Sequence, residues 1–209
     1  MPTMQASPAQ TGRTSRSTKF ARRFRTLTPE RRDIKLERLL NSDDGHSLEL
    51  VDGKLVEKPD MGGIACVASN KLAYFLTGYV LKQKNGYIIS SEATYKCFSG
   101  EKLTIRKPDI SFVKKGRFPN EEIPDGSILI PPDLAVEVLS KYDMSAKLER
   151  KLKDYSDAGV FETWIVIPPT RMVLVCKKNS VRIELNEHAT LSCEDLLPGF
   201  ALKVSEIFE

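Results

Sequence analysis

Pro108-Asp109-Ile110-Ser111-Phe112-Val113, then Asp133-Leu134-Ala135-Val136-Glu137-Val138-Leu139-Ser140, decide how this chain folds. Both read as buried strands, and each carries one acid. The second is apolar almost throughout, as strands covered on both faces are, so Glu137 stands out. A buried carboxylate without a partner is costly. A lysine-rich helix follows over Ser145–Ala158, closed by Gly159, and then a third apolar strand, Trp164-Ile165-Val166-Ile167. Two acids on neighbouring strands followed by a lysine on the next helix suggest a divalent cation as the partner.

Working outward, Asp52-Gly53 separates two alternating runs, Leu48 to Val51 and Lys54 to Glu57. That is a two-residue hairpin signal. Glu49 lies in its first strand in the same position as Glu137, and an outward-facing strand residue is the plainer alternative. Ile64, Ala68, Leu72, Phe75, Leu76, Tyr79 and Val80 recur at helical spacing, so a long amphipathic helix is expected from Gly62 to about Lys84, ended by Asn85-Gly86. Tyr87–Ser90, Thr94–Phe98 and the region Leu103–Val113 read as strands, with Pro108 marking an edge or a bulge. Residues 114–132 form a long proline-containing loop, of a length that is often functional, and a flap over the site is one use for it. Met172–Cys176 and Val181–Leu185 are further strands. From Cys193 to Phe208 a short helix, a turn at Pro198-Gly199 and a final packed segment are expected. Ahead of the hairpin, Thr28-Pro29-Glu30 reads as a helix start, with the helix running to about Leu40.

Composition sets the class. The chain has 209 residues, 41% hydrophobic and 29% charged, which suits one ordinary globular domain. No apolar run approaches the ~20 residues of a membrane span, and a cytoplasmic protein is expected. Residues 1–32 carry seven arginines and Lys19 against Glu30 alone, a net of +7 within the chain's +4, so the remainder carries −3. The body is therefore not a basic nucleic-acid-binding domain by net charge. Residues 1–27 hold no acid and are expected to be a disordered basic tail. A solvated tail, an arm on phosphates and an organelle transit peptide all fit it. Cys66, Cys97, Cys176 and Cys193 form no CxxC pair and read as reduced, mostly buried thiols. Two histidines, His46 and His188, give little material for a histidine-based centre.

Phosphodiester hydrolysis near neutral pH needs a nucleophile and neutralisation of phosphate charge, and magnesium held by two carboxylates can serve both. Pro108-Asp109 followed by Glu137 in an apolar strand resembles the PD-(D/E)xK nuclease pattern. The usual lysine position is Leu139 here, and the nearest candidate is Lys151 on the following helix. Several further pieces resemble the Uma-type restriction endonuclease family. They are Leu48-Glu49-Leu50-Val51-Asp52-Gly53-Lys54-Leu55, Pro108 to Val113, Glu137-Val138-Leu139-Ser140, the run from Lys151 through Tyr155, Gly159, Val160, Glu162 and Trp164 to Val166, and Leu197-Pro198-Gly199-Phe200. The resemblance covers about residues 45–208.

The resemblance implies an α/β, restriction-endonuclease-like fold, a central mixed sheet flanked by helices, in one domain over residues 28–209. It implies magnesium-dependent cleavage of DNA, with manganese as a substitute ion, and a homodimer. Asp109 and Glu137 would be the metal ligands, Lys151 the catalytic lysine, Glu49 a supporting acid, and Ser140 would line or cap the site. Plainer readings stay open for each: a turn for Asp109, an ion pair for Glu137, a solvated helix lysine for Lys151, and packing for Tyr155 and Trp164. The sequence also departs from the family pattern. Ser140-Lys141-Tyr142 replaces Ser-Pro-Ser, Lys147 replaces an acid, and no histidine occurs from Gly62 to Cys66. A degenerate nuclease fold that binds nucleic acid or a protein partner without cutting is therefore the alternative.

Overall fold

A computed structural model describes residues 48–58, 61–98, 103–139, 146–178 and 181–209. The basic segment 1–27, the helix expected to about Leu40, and Ser140 lie outside the described residues. In chain order come β1 (Leu48–Val51), β2 (Lys54–Glu57), α1 (Gly63–Gln83), β3 (Gly86–Ser90) and β4 (Ile110–Lys114). They are followed by β5 (Leu134–Val138), α2 (Ala146–Ala158), β6 (Glu162–Ile167), β7 (Met172–Lys177) and β8 (Arg182–Leu185). The chain ends on β9 (Thr190–Cys193), β10 (Leu197–Lys203) and α3 (Ser205–Phe208).

Six strands form one mixed sheet in the order β3-β4-β5-β6-β7-β8. Only β5 and β6 pair in parallel, because α2 carries the chain back between them. Side chains alternate across these central strands. Leu134, Val136 and Val138 of β5, with Trp164 and Val166 of β6, face the core shared with α1, where Ala65, Ala68, Leu72, Leu76 and Val80 are buried. Ala135 and Leu139, with Ile165, face α2 instead, against Tyr155 and Leu152. Glu137 has the parity of this second set. Thus every residue of β5 is buried, and its acid points at the helix that follows it.

The Asp-Gly hairpin forms as expected. Asp52 and Gly53 both take positive φ, 49° and 69°, as a tight turn twisting with its strands requires. The hairpin docks through paired hydrogen bonds between Leu50 and Ile105, at 3.1 and 2.7 Å. Gly86 is needed for close packing rather than for turning: a Cβ there would lie 2.4 Å from the Phe112 ring and from the Val113 carbonyl.

Several expectations need correction. Thr94–Phe98 contributes only Tyr95, which bridges Arg106 and Ile128, rather than a strand. The Leu103–Val113 region is broken in two, because Pro108 has no N–H to continue a ladder and β4 begins at Ile110. The loop 114–132 is no flap. Asp133 pins it by accepting from the Lys114 N–H at 2.8 Å and from Arg117 at 2.7 Å. Phe118 and Ile128 then bury in a cluster around Tyr95. No helix precedes Pro198-Gly199. Thr190–Cys193 alternates exposed and buried residues as β9, and Pro198-Gly199 sits in an irregularity of β10 rather than in a turn. Among the cysteines only Cys193 is fully buried; Cys97 and Cys176 are half-buried and Cys66 is exposed. Among the described residues α1 is long and apolar enough to cross a membrane by length and composition. Here its buried stripe packs on the sheet.

Candidate metal centre

Glu49, Asp109, Glu137 and Lys151 all line one cleft, with a volume of about 70 Å³. Four elements converge there. The hairpin brings Glu49, the segment ahead of β4 brings Asp109, β5 brings Glu137, and α2 brings Lys151.

Asp109 is fixed from one side by β5: its Oδ2 accepts the Val138 N–H at 2.7 Å. Its carboxylate therefore sits against the residue that follows Glu137. Its Oδ1 accepts from the Lys58 ammonium at 2.6 Å. Glu137 Oε1 accepts the Tyr155 hydroxyl at 2.5 Å and Oε2 accepts from Lys151 at 3.1 Å. Lys151 lies equally close to Glu49 Oε1, at 3.1 Å, so one ammonium bridges two buried acids. Glu49 also accepts from the Lys107 N–H at 3.0 Å and from Arg106 at 2.9 Å. Arg106 in turn grips Asp154 of α2 through Nε, at 3.0 Å, and Nη2.

The protonation states follow from these contacts. Burial pushes the Glu137 carboxyl up from the usual range; Lys151 opposes this, but the nearby Asp109 and Glu49 add to it. Burial also acts on Glu49, yet there Lys151 and Arg106 win and hold it below the usual range. Lys151 stays protonated, because Glu137 and Glu49 outweigh the burial that would lower it. Burial raises the Tyr155 phenol well above its ordinary value, so it remains a donor.

The structure brings together all four residues singled out in the sequence. It adds others the sequence reading passed over. Lys58 and Arg106 are the main additions, and both hold candidate site acids. Tyr155 does more than pack: its ring is buried against Ala135 while its hydroxyl serves Glu137. The available signal was Tyr155 standing four residues after Lys151, hence on the same helix face. Trp164 is a packing residue, stacked on Phe200 with ring centroids 6.2 Å apart. Tyr155→Phe is expected to lower stability by about 1–3 kcal/mol, since the buried Glu137 loses a donor. Urea unfolding checks this, and an unchanged midpoint would show that the bond contributes nothing.

Two acids with hard oxygen donors suit magnesium, which keeps several waters and needs only one or two carboxylates. The lysines already drawn to both acids show that the cleft attracts cations. Among the described residues no three His, Cys, Asp or Glu side chains form a metal-holding group, so a closed four-ligand site of the structural zinc type is not provided.

Comparison with known proteins gives an independent bearing. No curated protein matches the chain. Among solved structures, the chain is similar to a protein of Anabaena variabilis ATCC 29413 described as a "putative nuclease belonging to DUF820". The two share 21% identity at a TM-score of 0.67, over 77% of this chain and 89% of the other. That likeness establishes the fold, a restriction-endonuclease-like α/β arrangement. The family model described as "Putative restriction endonuclease" matches residues 34–205. By that match, which spans most of the chain, this protein belongs to the Uma2 family.

Proposed function

We propose that this protein is a magnesium-dependent nuclease that hydrolyses DNA phosphodiester bonds at the Asp109–Glu137 cleft. The observation that carries the reading is the convergence of two buried carboxylates, Asp109 and Glu137, at the end of β5, with Lys151 on Glu137. Asp109 and Glu137 would hold the ion, and manganese would serve in its place. A bound ion would lower the pKa of water and neutralise phosphate charge.

The chain's own residues supply the rest. Lys151 remains charged, so it acts as a cation that orients Glu137 and Glu49 and meets developing negative charge, not as a general base. Tyr155 keeps Glu137 Oε1 in place, and Arg106 keeps Glu49 beside Lys151. The test is nicking of supercoiled plasmid with magnesium, with manganese and with chelator. Metal-dependent nicking is expected. DNA binding without cutting under any ion would favour the second reading, a binding module without catalysis. That reading has one specific support: Lys58 and Lys151 already neutralise the acids a metal would need.

The expected homodimer has a candidate surface on α1. Ile64, Val67, Lys71, Tyr74, Gly78 and Leu81 follow the alternating three-and-four spacing of a helix seam. Ile64 and Leu81 are 78% and 70% exposed. In a two-fold antiparallel pair Ile64 meets Leu81, Val67 meets the open space at Gly78, and Lys71 meets the Tyr74 ring. Leu81→Asp is expected to convert a dimer into a monomer by light scattering. A variant with unchanged mass would place any interface elsewhere.

A further inference from the structure

Four cations line the cleft, Lys58, Arg106, Lys147 and Lys151, and three of them hold its acids in different ways. Lys151 bridges Glu49 and Glu137, and Arg106 bridges Glu49 and Asp154. Among the described residues Lys58 is fastened to one acid, Asp109, and to the Lys107 carbonyl at 3.0 Å. Its side chain is also the most exposed of the three, at 18% against 14% for Lys151 and 4% for Arg106. It directly follows the last residue of β2, on the docked hairpin.

Its position is the important point. Asp109 Oδ2 is committed to the Val138 N–H, so Oδ1 is the oxygen left for a cation, and Lys58 sits on it at 2.6 Å. The Glu137 charge also acts on Lys58, so the ammonium lies in the field of both proposed metal ligands. A divalent ion and an ammonium sharing one carboxylate oxygen would repel strongly at such range.

We infer that Lys58 is a tethered cation occupying the metal seat of Asp109, and that divalent ions bind by displacing it. The inference rests on the metal-centred reading of the site and adds its occupancy rule: loading is an exchange of one cation for another. The affinity for a divalent ion is then weaker than two buried carboxylates would otherwise provide. Of Lys58, Lys151 and Arg106, Lys58 has the fewest ionic partners among the described residues and the most exposed side chain, so it is the one built to leave.

The test is calorimetric titration of the full chain with Mg²⁺ and with Mn²⁺, comparing wild type, Lys58→Met, Lys58→Ala and Asp109→Asn, each confirmed folded by circular dichroism. Lys58→Met and Lys58→Ala are expected to bind at least about tenfold more tightly, because the competing charge is gone. Tightening sets this apart from a merely structural role, whose loss would loosen the site. Binding by the two Lys58 variants but not by wild type would support displacement equally. Unchanged or weaker binding in both variants would overturn the inference. The metal-centred reading would still stand if Asp109→Asn abolished binding. No binding by wild type or by either Lys58 variant would overturn both together.

Discussion

Glu137→Gln is expected to reduce metal-dependent DNA cleavage by about 10³-fold or more while making the metal-free protein more stable at neutral pH. On the proposed metal-centred reading, the loss follows from removing one of two ion ligands, worth several kcal/mol of transition-state stabilisation. The gain follows from burial. Glu137 has its carboxyl pushed above the ordinary value of 4.5, by burial first and by Asp109 and Glu49 in addition, against the pull of Lys151. The folded state therefore favours the neutral form. That contribution is fully present below the unfolded value and is lost as pH rises through the folded one. A glutamine is neutral at every pH, so it keeps the contribution where glutamate has lost it. It can still accept the Tyr155 hydroxyl, and Lys151 retains Glu49. The variant should therefore melt at a higher temperature than the wild type at pH 7. The gain should shrink as pH falls towards 4.5, where the glutamate becomes neutral in the unfolded chain as well. Thermal unfolding at pH 7 and near pH 4 checks it. A lower melting temperature at pH 7 would make Glu137 a net structural ion pair, the plainer reading of that residue.

Arg106→Met carries the largest expected effect on the fold. Its guanidinium joins Glu49 of the hairpin to Asp154 of α2; the Arg106 and Glu49 side chains are buried and that of Asp154 is nearly so, at 4%, 5% and 10% exposure. Removing one member of such a group leaves uncompensated charge in the interior, at a cost of about 3–5 kcal/mol. Glu49 would still have Lys151 and the Lys107 N–H, and Asp154 would still have Arg150, so the lower part of that range is expected. Denaturant unfolding measures it. Adding Glu49→Gln to Arg106→Met should recover part of the loss, because one orphaned charge disappears. A loss below about 1 kcal/mol in the single variant would mean that the network is not what docks the hairpin.

How much of this was legible in the sequence depended on how local the cause was. Glu137 stood out because its four neighbours on β5 are apolar, and that contrast survives without any structure. The Asp52-Gly53 turn was equally local: two residues fixed its geometry. The strand–helix–strand unit from β5 to β6 followed from a lysine-rich segment, closed by Gly159, between two apolar runs. Lys58 and Arg106 could not be read in this way. Each acquires its role only when the hairpin docks through Leu50 and Ile105, a contact between distant parts of the chain. A basic residue beside a strand looks solvated until that docking buries it. Tyr155 was hidden differently, since its ring satisfies a packing pattern while its hydroxyl performs the polar work. The β9–β10 pair replaces the short helix expected from Cys193, because the alternation that matters begins earlier, at Thr190.

The central claim is that Asp109 and Glu137 together hold a divalent cation. The most direct measurement is anomalous diffraction from crystals soaked in manganese. A single strong peak is expected about 2 Å from oxygens of both Asp109 and Glu137, with Lys58 moved off Asp109. A manganese peak bound elsewhere, or no peak in a cleft open to the soak and still held by Lys58, would contradict it.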